Sequence, residues 1–247
     1  MSITVAVLGA AGRMGSTTTA AVRAADGLEL VAELGEGDDV ATLAGVADVA
    51  IDFTVPEVTE ANVHALLDAG VHAVVGTTGW DAAALDRIRA HASTRPDVGV
   101  LIAPNFALSA VLAMRFASVA ARYFASAEVV EMHHPRKLDA PSGTAVHTAH
   151  GIAAARTEAG LGPMPDATAT SLPGARGADV DGVNVHSLRL EGLVAHEQIF
   201  LSNPGELLTI RTDSFDRASF MPGVLLAVRE VAAHPGVHVG LETYLDL

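Results

Sequence analysis

The sequence predicts an α/β fold: a Rossmann-like, doubly wound parallel sheet domain, followed by an α+β domain with an open, mostly antiparallel sheet. Three observations carry this expectation. Short β-branched and apolar runs alternate with alanine-rich helical stretches as far as Ala103. A glycine-bearing turn, Gly9-Ala10-Ala11-Gly12-Arg13-Met14-Gly15, joins the first such run to the first helix. Beyond Pro104-Asn105 the alternation gives way to a long helix, a dense polar segment and closely spaced strand-like runs.

In order, Ile3–Leu8 reads as a strand and Ser16–Ala25 as a helix. The strand Leu28–Leu34 ends in an acidic loop broken by glycine, Gly35-Glu36-Gly37-Asp38-Asp39. Strands are expected at Val49–Phe53, Ala73–Val75 and Val98–Ala103, with helices at Glu57–Ala69 and Asp81–Ser93 between them. Strands alternating with helices call for parallel pairing, and apolar strands fit burial on both faces. A helix over about Ser109–Phe124 then leads to the strand Glu128–Met132 and the helix Thr144–Ala159. The stretch Gly160–Gly182 is rich in Gly, Pro and Asp. Val185–Leu190, Glu197–Leu201 and Leu207–Thr212, separated by short turns, read as an antiparallel meander. An amphipathic helix at Ser219–Ala233 and the strand-like Val237–Leu241 are too little to fold alone. The expected division is a dinucleotide-binding domain at 1–105, completed by 215–247, and a second domain at 106–214.

Of 247 residues 50% are hydrophobic, enough for a packed core and contrary to disorder. A net charge of -14 with 4% aromatics argues against nucleic acid and anionic membrane surfaces as partners. The absence of cysteine removes disulfides, iron–sulfur clusters, thiolate zinc sites and cysteine nucleophiles. No apolar run approaches the ~20 residues of a membrane span, and the first residues lack a basic leader. A soluble, cytoplasmic protein is the expectation.

A dinucleotide pyrophosphate needs a tight turn, close approach of backbone and the positive end of a helix. Gly9, Gly12 and Gly15 are spaced G-x-x-G-x-x-G, and a tight βα turn without ligand is the competing reading. An acid accepting from the ribose diol is expected after the second strand, with Glu33 and Glu36 as candidates. The loop offers the carboxylates of Glu33, Glu36, Asp38 and Asp39, with Arg13 the one nearby cation identified. Such an acid repels a 2′-phosphate and leans towards NADH, whereas Arg13 favours NADPH. The turns Gly76-Thr77-Thr78-Gly79 and Ala103-Pro104-Asn105-Phe106 follow strand ends, where a doubly wound sheet places its ligand.

The densest chemistry lies in Glu131-Met132-His133-His134-Pro135-Arg136-Lys137-Leu138-Asp139-Ala140-Pro141-Ser142-Gly143-Thr144-Ala145. Two imidazoles, a guanidinium and an ammonium end a strand, and Ser142 caps the following helix. In so acidic a chain this cluster asks for an anionic substrate. The amides of Gly143 and Thr144 suit a carboxylate. His133 and His134 are candidate proton or hydrogen-bond donors, and Lys137 a second proton donor or carboxylate partner. A metal site is disfavoured: adjacent histidines point to opposite sides of a strand, and His147 and His150, three apart on a helix and able to share a ligand, are expected to have no carboxylate positioned beside them.

This segment resembles the active-site signature of the dihydrodipicolinate reductase family, and the resemblance covers essentially the whole chain. It includes Val7-Leu8-Gly9, Gly12-Arg13-Met14-Gly15, Ile51-Asp52-Phe53-Thr54, Val75–Gly79, Ala103–Phe106 and Ser214-Phe215-Asp216-Arg217. The segment Ser171–Gly177 looks like the actinobacterial branch. The resemblance implies reduction of a cyclic 4-hydroxy imine dicarboxylate by NADH or NADPH on the diaminopimelate route to lysine. It implies His133 as general acid/base, Lys137 as proton donor, and His134, Gly143 and Thr144 as holders of substrate carboxylate. It implies cofactor contacts from Gly9–Met14, Gly76–Thr78 and Ala103–Phe106, no metal, and a homotetramer formed through the open sheet of the second domain. Two positions depart from the pattern: Gly35 stands where many members carry the ribose acid, and Arg136 where histidine is frequent. A non-catalytic NAD(P) sensor with a partner-binding second domain is the alternative; it would not need His133, Lys137 and the Ser142 cap together.

Overall fold

The computed structural model describes residues 2–245. Expectations for residues 1, 246 and 247 lie outside them. In chain order the elements are β1 (Ile3–Leu8), α1 (Arg13–Ala24), β2 (Leu28–Leu34), β3 (Val49–Asp52), α2 (Pro56–Ala69), β4 (His72–Val75), α3 (Ala82–Ala92) and β5 (Gly99–Ile102). Then follow α4 (Leu108–Ala121), β6 (Ser126–His133), α5 (Gly143–Glu158), β7 (Ala178–Val180), β8 (Val183–Arg189), β9 (Ala195–Asn203), β10 (Glu206–Ser214), α6 (Met221–Glu230) and β11 (Gly236–Val239). The described residues form two compact units. One runs to Ala107 and resumes at Arg217; the other is Leu108–Asp216.

The first unit holds a six-stranded sheet in the order β11-β5-β4-β3-β1-β2, parallel throughout. Parallel neighbours require crossover helices, and these cover the sheet. Val5, Ile51, Val74 and Leu101 on its central strands are accordingly 0% exposed. Leu66 and Val63 of α2 and Ile88 of α3 pack against Leu8, Val75 and Val100 of the strands. Local sequence sets the helix ends: α2 starts at Pro56 and stops at Gly70, whose φ of 70° no β-carbon opposes, and Asp81 caps α3 by accepting from the Ala84 amide at 2.7 Å. Helix α1 begins at Arg13, before the expected Ser16, because Gly12 already takes the extended N-cap conformation. The expected helix at Ser219–Ala233 is shorter, α6 being flanked by 3-10 turns at Arg217–Phe220 and Val231–Ala233.

The second unit holds a five-stranded sheet in the order β10-β9-β6-β8-β7. This corrects the expected three-strand meander. Only β9 and β10 form an antiparallel hairpin of that set, while β8 lies parallel to β6 on its other side. The cause is α5, which separates β6 from β8 as a crossover and lets them run the same way. A further strand, β7, lies within Gly160–Gly182 and turns into β8 at Asp181-Gly182, both with positive φ (51° and 83°), as two-residue hairpins prefer. With β7–β8, β6–β9 and β9–β10 antiparallel, the sheet remains mostly antiparallel. Its core packs Ala113 and Ala117 of α4 and Ala149 and Ile152 of α5 on Val129 and Ile199.

Candidate active site

Two groups of functional side chains emerge, one in each unit. In the first, a cavity of about 680 Å³ lies beyond the carboxyl ends of β1, β2 and β3. Gly9, Ala11, Gly12, Arg13 and Met14 line it. A β-carbon on Gly9, whose φ is +74°, would stand 2.6 Å from the Phe53 carbonyl oxygen, and one on Gly15 would strike the Gly9 carbonyl. Backbone therefore packs on backbone, leaving a cradle that side chains would fill. The amides of Gly9 and Ala10 both donate to the Leu34 carbonyl, at 2.9 and 3.2 Å, and that of Gly12 to the Gly9 carbonyl at 2.9 Å. No side chain caps α1, so the amides left for an anion are those that begin the helix, at its positive end. These residues fit a dinucleotide phosphate.

Sequence reading gave Asp52 no role, yet it organises the far wall. Its fully buried carboxylate accepts from the Thr54 amide (2.8 Å) and the hydroxyls of Thr54 (2.6 Å), Thr77 (3.0 Å) and Thr59 (3.1 Å). It also accepts from the Asn62 amide group at 3.0 Å. Thr54, Asn62 and Thr77 all line the cavity. A lone acid ending an apolar strand was the available signal.

The acids of the following loop are not equivalent. Glu33 is ion-paired with Arg23 and is absent from the cavity wall, so Arg13 is not the only nearby cation. Asp39 caps the turn Val40–Leu43, while Asp38 accepts from the Gly35 amide at 2.7 Å. Glu36 and Asp38 line the cavity beside Gly35. Gly76 and Thr77 line it too; Thr78 is exposed outside it. The Ala103–Phe106 turn contributes no cavity wall: Ala103 and Phe106 are buried, Pro104 is exposed, and Asn105 accepts from the Ala107 amide. Phe106 packs edge-on against Phe53, at 5.9 Å between ring centres.

In the second unit His133 closes β6 and lies 2.5 Å, Nδ1 to Oε2, from Glu131. Glu131 is wholly buried and accepts from both terminal guanidinium nitrogens of Arg189, at 2.8 and 2.7 Å. Burial alone would raise its pKa, but hydrogen bonds from His133, Arg189 and Ser187 outweigh that and hold it at about 2. Ser142 donates its amide to Glu131 and caps α5 through its hydroxyl, which accepts from Ala145. Lys137 pairs with Asp139 at 2.8 Å. The Gly143 amide also faces that carboxylate, so the expected proton donor Lys137 and one expected substrate-carboxylate holder, Gly143, turn to the same acid; Thr144 follows Gly143 in the first turn of α5. His134 has a buried Nδ1 with no partner. Arg136 is balanced by Glu191 across 3.3 Å of exposed surface. Behind the site, Glu197 receives Thr148 at 2.8 Å. Sequence reading missed Arg189 and Glu197.

Contrary to expectation, His150 does have a carboxylate beside it, Asp181, at 2.7 Å. Among the described residues no group of three or more His, Asp or Glu side chains is placed to hold a metal, and no helix is long and apolar enough to cross a membrane.

Comparison with known proteins agrees along the whole chain. The family model described as dihydrodipicolinate reductase, N-terminus, matches residues 3–106, and that for the C-terminus matches residues 109–245. The 4-hydroxy-tetrahydrodipicolinate reductase of Beutenbergia cavernae is 77% identical over 247 residues, covering 100% of both chains. That of Nocardia farcinica is 59% identical over 248 residues, again covering 100% of both. Among solved structures, the dipicolinate-bound dihydrodipicolinate reductase from Paenisporosarcina sp. TG-14 has a TM-score of 0.90 at 36% identity, covering 99% of this chain and 100% of that one. Matched from its first strand to its last, the chain belongs to the dihydrodipicolinate reductase family.

Proposed function

We propose that this chain reduces 4-hydroxy-2,3,4,5-tetrahydrodipicolinate to tetrahydrodipicolinate with NADH or NADPH, on the diaminopimelate route to lysine. The observation that carries the reading is the His133–Lys137 cluster at the end of β6, the unit's central strand, backed by buried Glu131. Loss of the 4-hydroxyl as water leaves a conjugated imine; addition of hydride there leaves an enamine that must take a proton. The nicotinamide, when bound, supplies the hydride. His133 is the general acid/base and Lys137 a proton donor. His134 and the amides of Gly143 and Thr144 at the start of α5 hold substrate carboxylate. Dipicolinate in the Paenisporosarcina relative is likewise a dicarboxylate, which supports this substrate class.

In this reading the unit with the glycine cradle binds the cofactor, and the unit Leu108–Asp216 binds substrate. Glycine-turn residues hold the pyrophosphate, with Gly76, Thr77, Thr78 and the Ala103–Phe106 turn on the nicotinamide side. Glu36 is the ribose acid favoured by the cavity wall, since Glu33 is engaged by Arg23. We extend the proposal to a cytoplasmic homotetramer. Leu207 on edge strand β10, 61% exposed, supports assembly through that sheet.

The test is loss of nicotinamide absorbance when the purified protein meets freshly generated 4-hydroxy imine. No consumption of either cofactor would overturn the reading.

A further inference from the structure

Glu131 is surrounded by donors. Besides His133, its Oε2 accepts from Arg189 Nη1 at 2.8 Å, and its Oε1 from Arg189 Nη2 at 2.7 Å and the Ser142 amide at 3.2 Å. An ionised carboxylate only accepts, so the hydrogen it shares with His133 sits on the imidazole Nδ1. The neutral ring then carries its lone pair on Nε2. Arg189 reaches further: Nη2 also donates to the Asp139 carbonyl at 2.7 Å, and Nη1 to the Leu188 carbonyl at 2.8 Å. Asp139 in turn holds the Lys137 ammonium. One guanidinium from β8 thus grips both the acid under His133 and the turn that bears Lys137.

We propose that Glu131 and Arg189 are positioning residues for the reduction: Glu131 fixes His133 with Nδ1 protonated and Nε2 as the working nitrogen, and Arg189 locks Glu131 to the Lys137 turn. The proposal rests on the reading of His133 as the acid/base. Both residues act through His133 and Lys137. A purely structural ion pair would stabilise the sheet without selecting a tautomer or affecting turnover separately from binding.

Histidine ¹⁵N resonances of the full chain test this without substrate, those of His133 being identified by their loss in His133→Ala. The expected result is the Nδ1–H tautomer in the parent protein. A predominant Nε2–H tautomer would overturn the proposal whatever the kinetics. In Glu131→Gln, where the side-chain amide can donate to Nδ1 or accept from it, mixed tautomers are expected. Its kcat should fall by at least about tenfold with cofactor KM unchanged. Parental kcat in that variant, folded by circular dichroism, would count equally against the idea. Should Glu131→Gln not fold, Arg189→Lys keeps the charge but lacks the two-pronged grip. It is expected to lose at least about tenfold in kcat, and parental kcat would overturn the clamp. Absence of turnover in the parent protein would instead sink the functional reading, while the tautomer would still decide this proposal.

Discussion

Glu131 on β6 and Glu197 on β9 stand directly opposite each other in an antiparallel pair, so their side chains share one face of the sheet. Their charge states are driven apart. Glu131 is held at about 2 by its donors despite burial. Glu197 is raised to about 7, first by burial and further by the charge on Glu131, against one opposing hydrogen bond from Thr148. Its second oxygen has no partner. The pair carries one negative charge over the acidic half of the physiological range.

A pH dependence of stability follows, with a definite sign. The Glu197 contribution is fully present below its ordinary value of 4.5 and is lost as pH rises through about 7. Its size is on the order of 3 kcal/mol. The Glu131 contribution runs the other way, present above 4.5 and lost as pH falls through about 2. Urea midpoints should therefore decline from about pH 5 to pH 8, and Glu197→Gln should flatten that decline. An equally steep decline in the variant would refute the assignment.

Replacing His133 by alanine should lower kcat by roughly 10²–10⁴-fold, the usual worth of one positioned acid or base. Cofactor affinity, measured by fluorescence titration, should be unchanged, because the cavity lies in the other unit. EDTA should leave the rate of the parent protein unaltered; loss with EDTA and recovery with zinc would restore the metal reading.

Cofactor choice should favour NADH modestly. Glu36 and Asp38 would face a 2′-phosphate with like charge, and Arg13 is the guanidinium on the cavity wall. Measuring kcat/KM for both cofactors decides it. A preference for NADPH above about tenfold, roughly 1.4 kcal/mol, would show that Arg13 dominates.

Gly15→Ala tests the cradle against helix propensity. Within α1, alanine should gain about 1 kcal/mol over glycine. Its β-carbon would instead meet the Gly9 carbonyl oxygen. A net loss of about 1–3 kcal/mol and weaker cofactor binding are expected, while Gly162→Ala, with open space around it, should be near neutral. A stabilised Gly15→Ala protein would mean that α1 can shift freely.

The first unit was legible because its signals are local: alternation, Pro56 and Gly70 at the ends of α2, and a glycine turn after the first strand. The second was misread where pairing is non-local. Nothing near Val183–Arg189 tells that β6 lies beside it, since α5, a long loop and β7 intervene. The site divides the same way. His133 and Lys137 were visible because reactive types crowd one segment. Arg189 reaches Glu131 across 58 positions, and Glu197 arrives by strand register. Glu33 and Glu36 looked alike in the sequence; Arg23, ten positions before Glu33 and one turn of chain away, separates them.

The edge strand β11 bears on how the protein is made. It is the last strand among the described residues, yet it pairs with β5, and the second unit is inserted between them in the chain. At Gly99 the carbonyls of Val231 and His234 occupy the space a side chain would take, so the closing segment seats on β5 by backbone contact. During synthesis the first sheet must wait with that flank open while the inserted unit leaves the ribosome. Nascent chains stalled before β11 would expose the edge of β5, the point at which chaperones or aggregation would act on this protein.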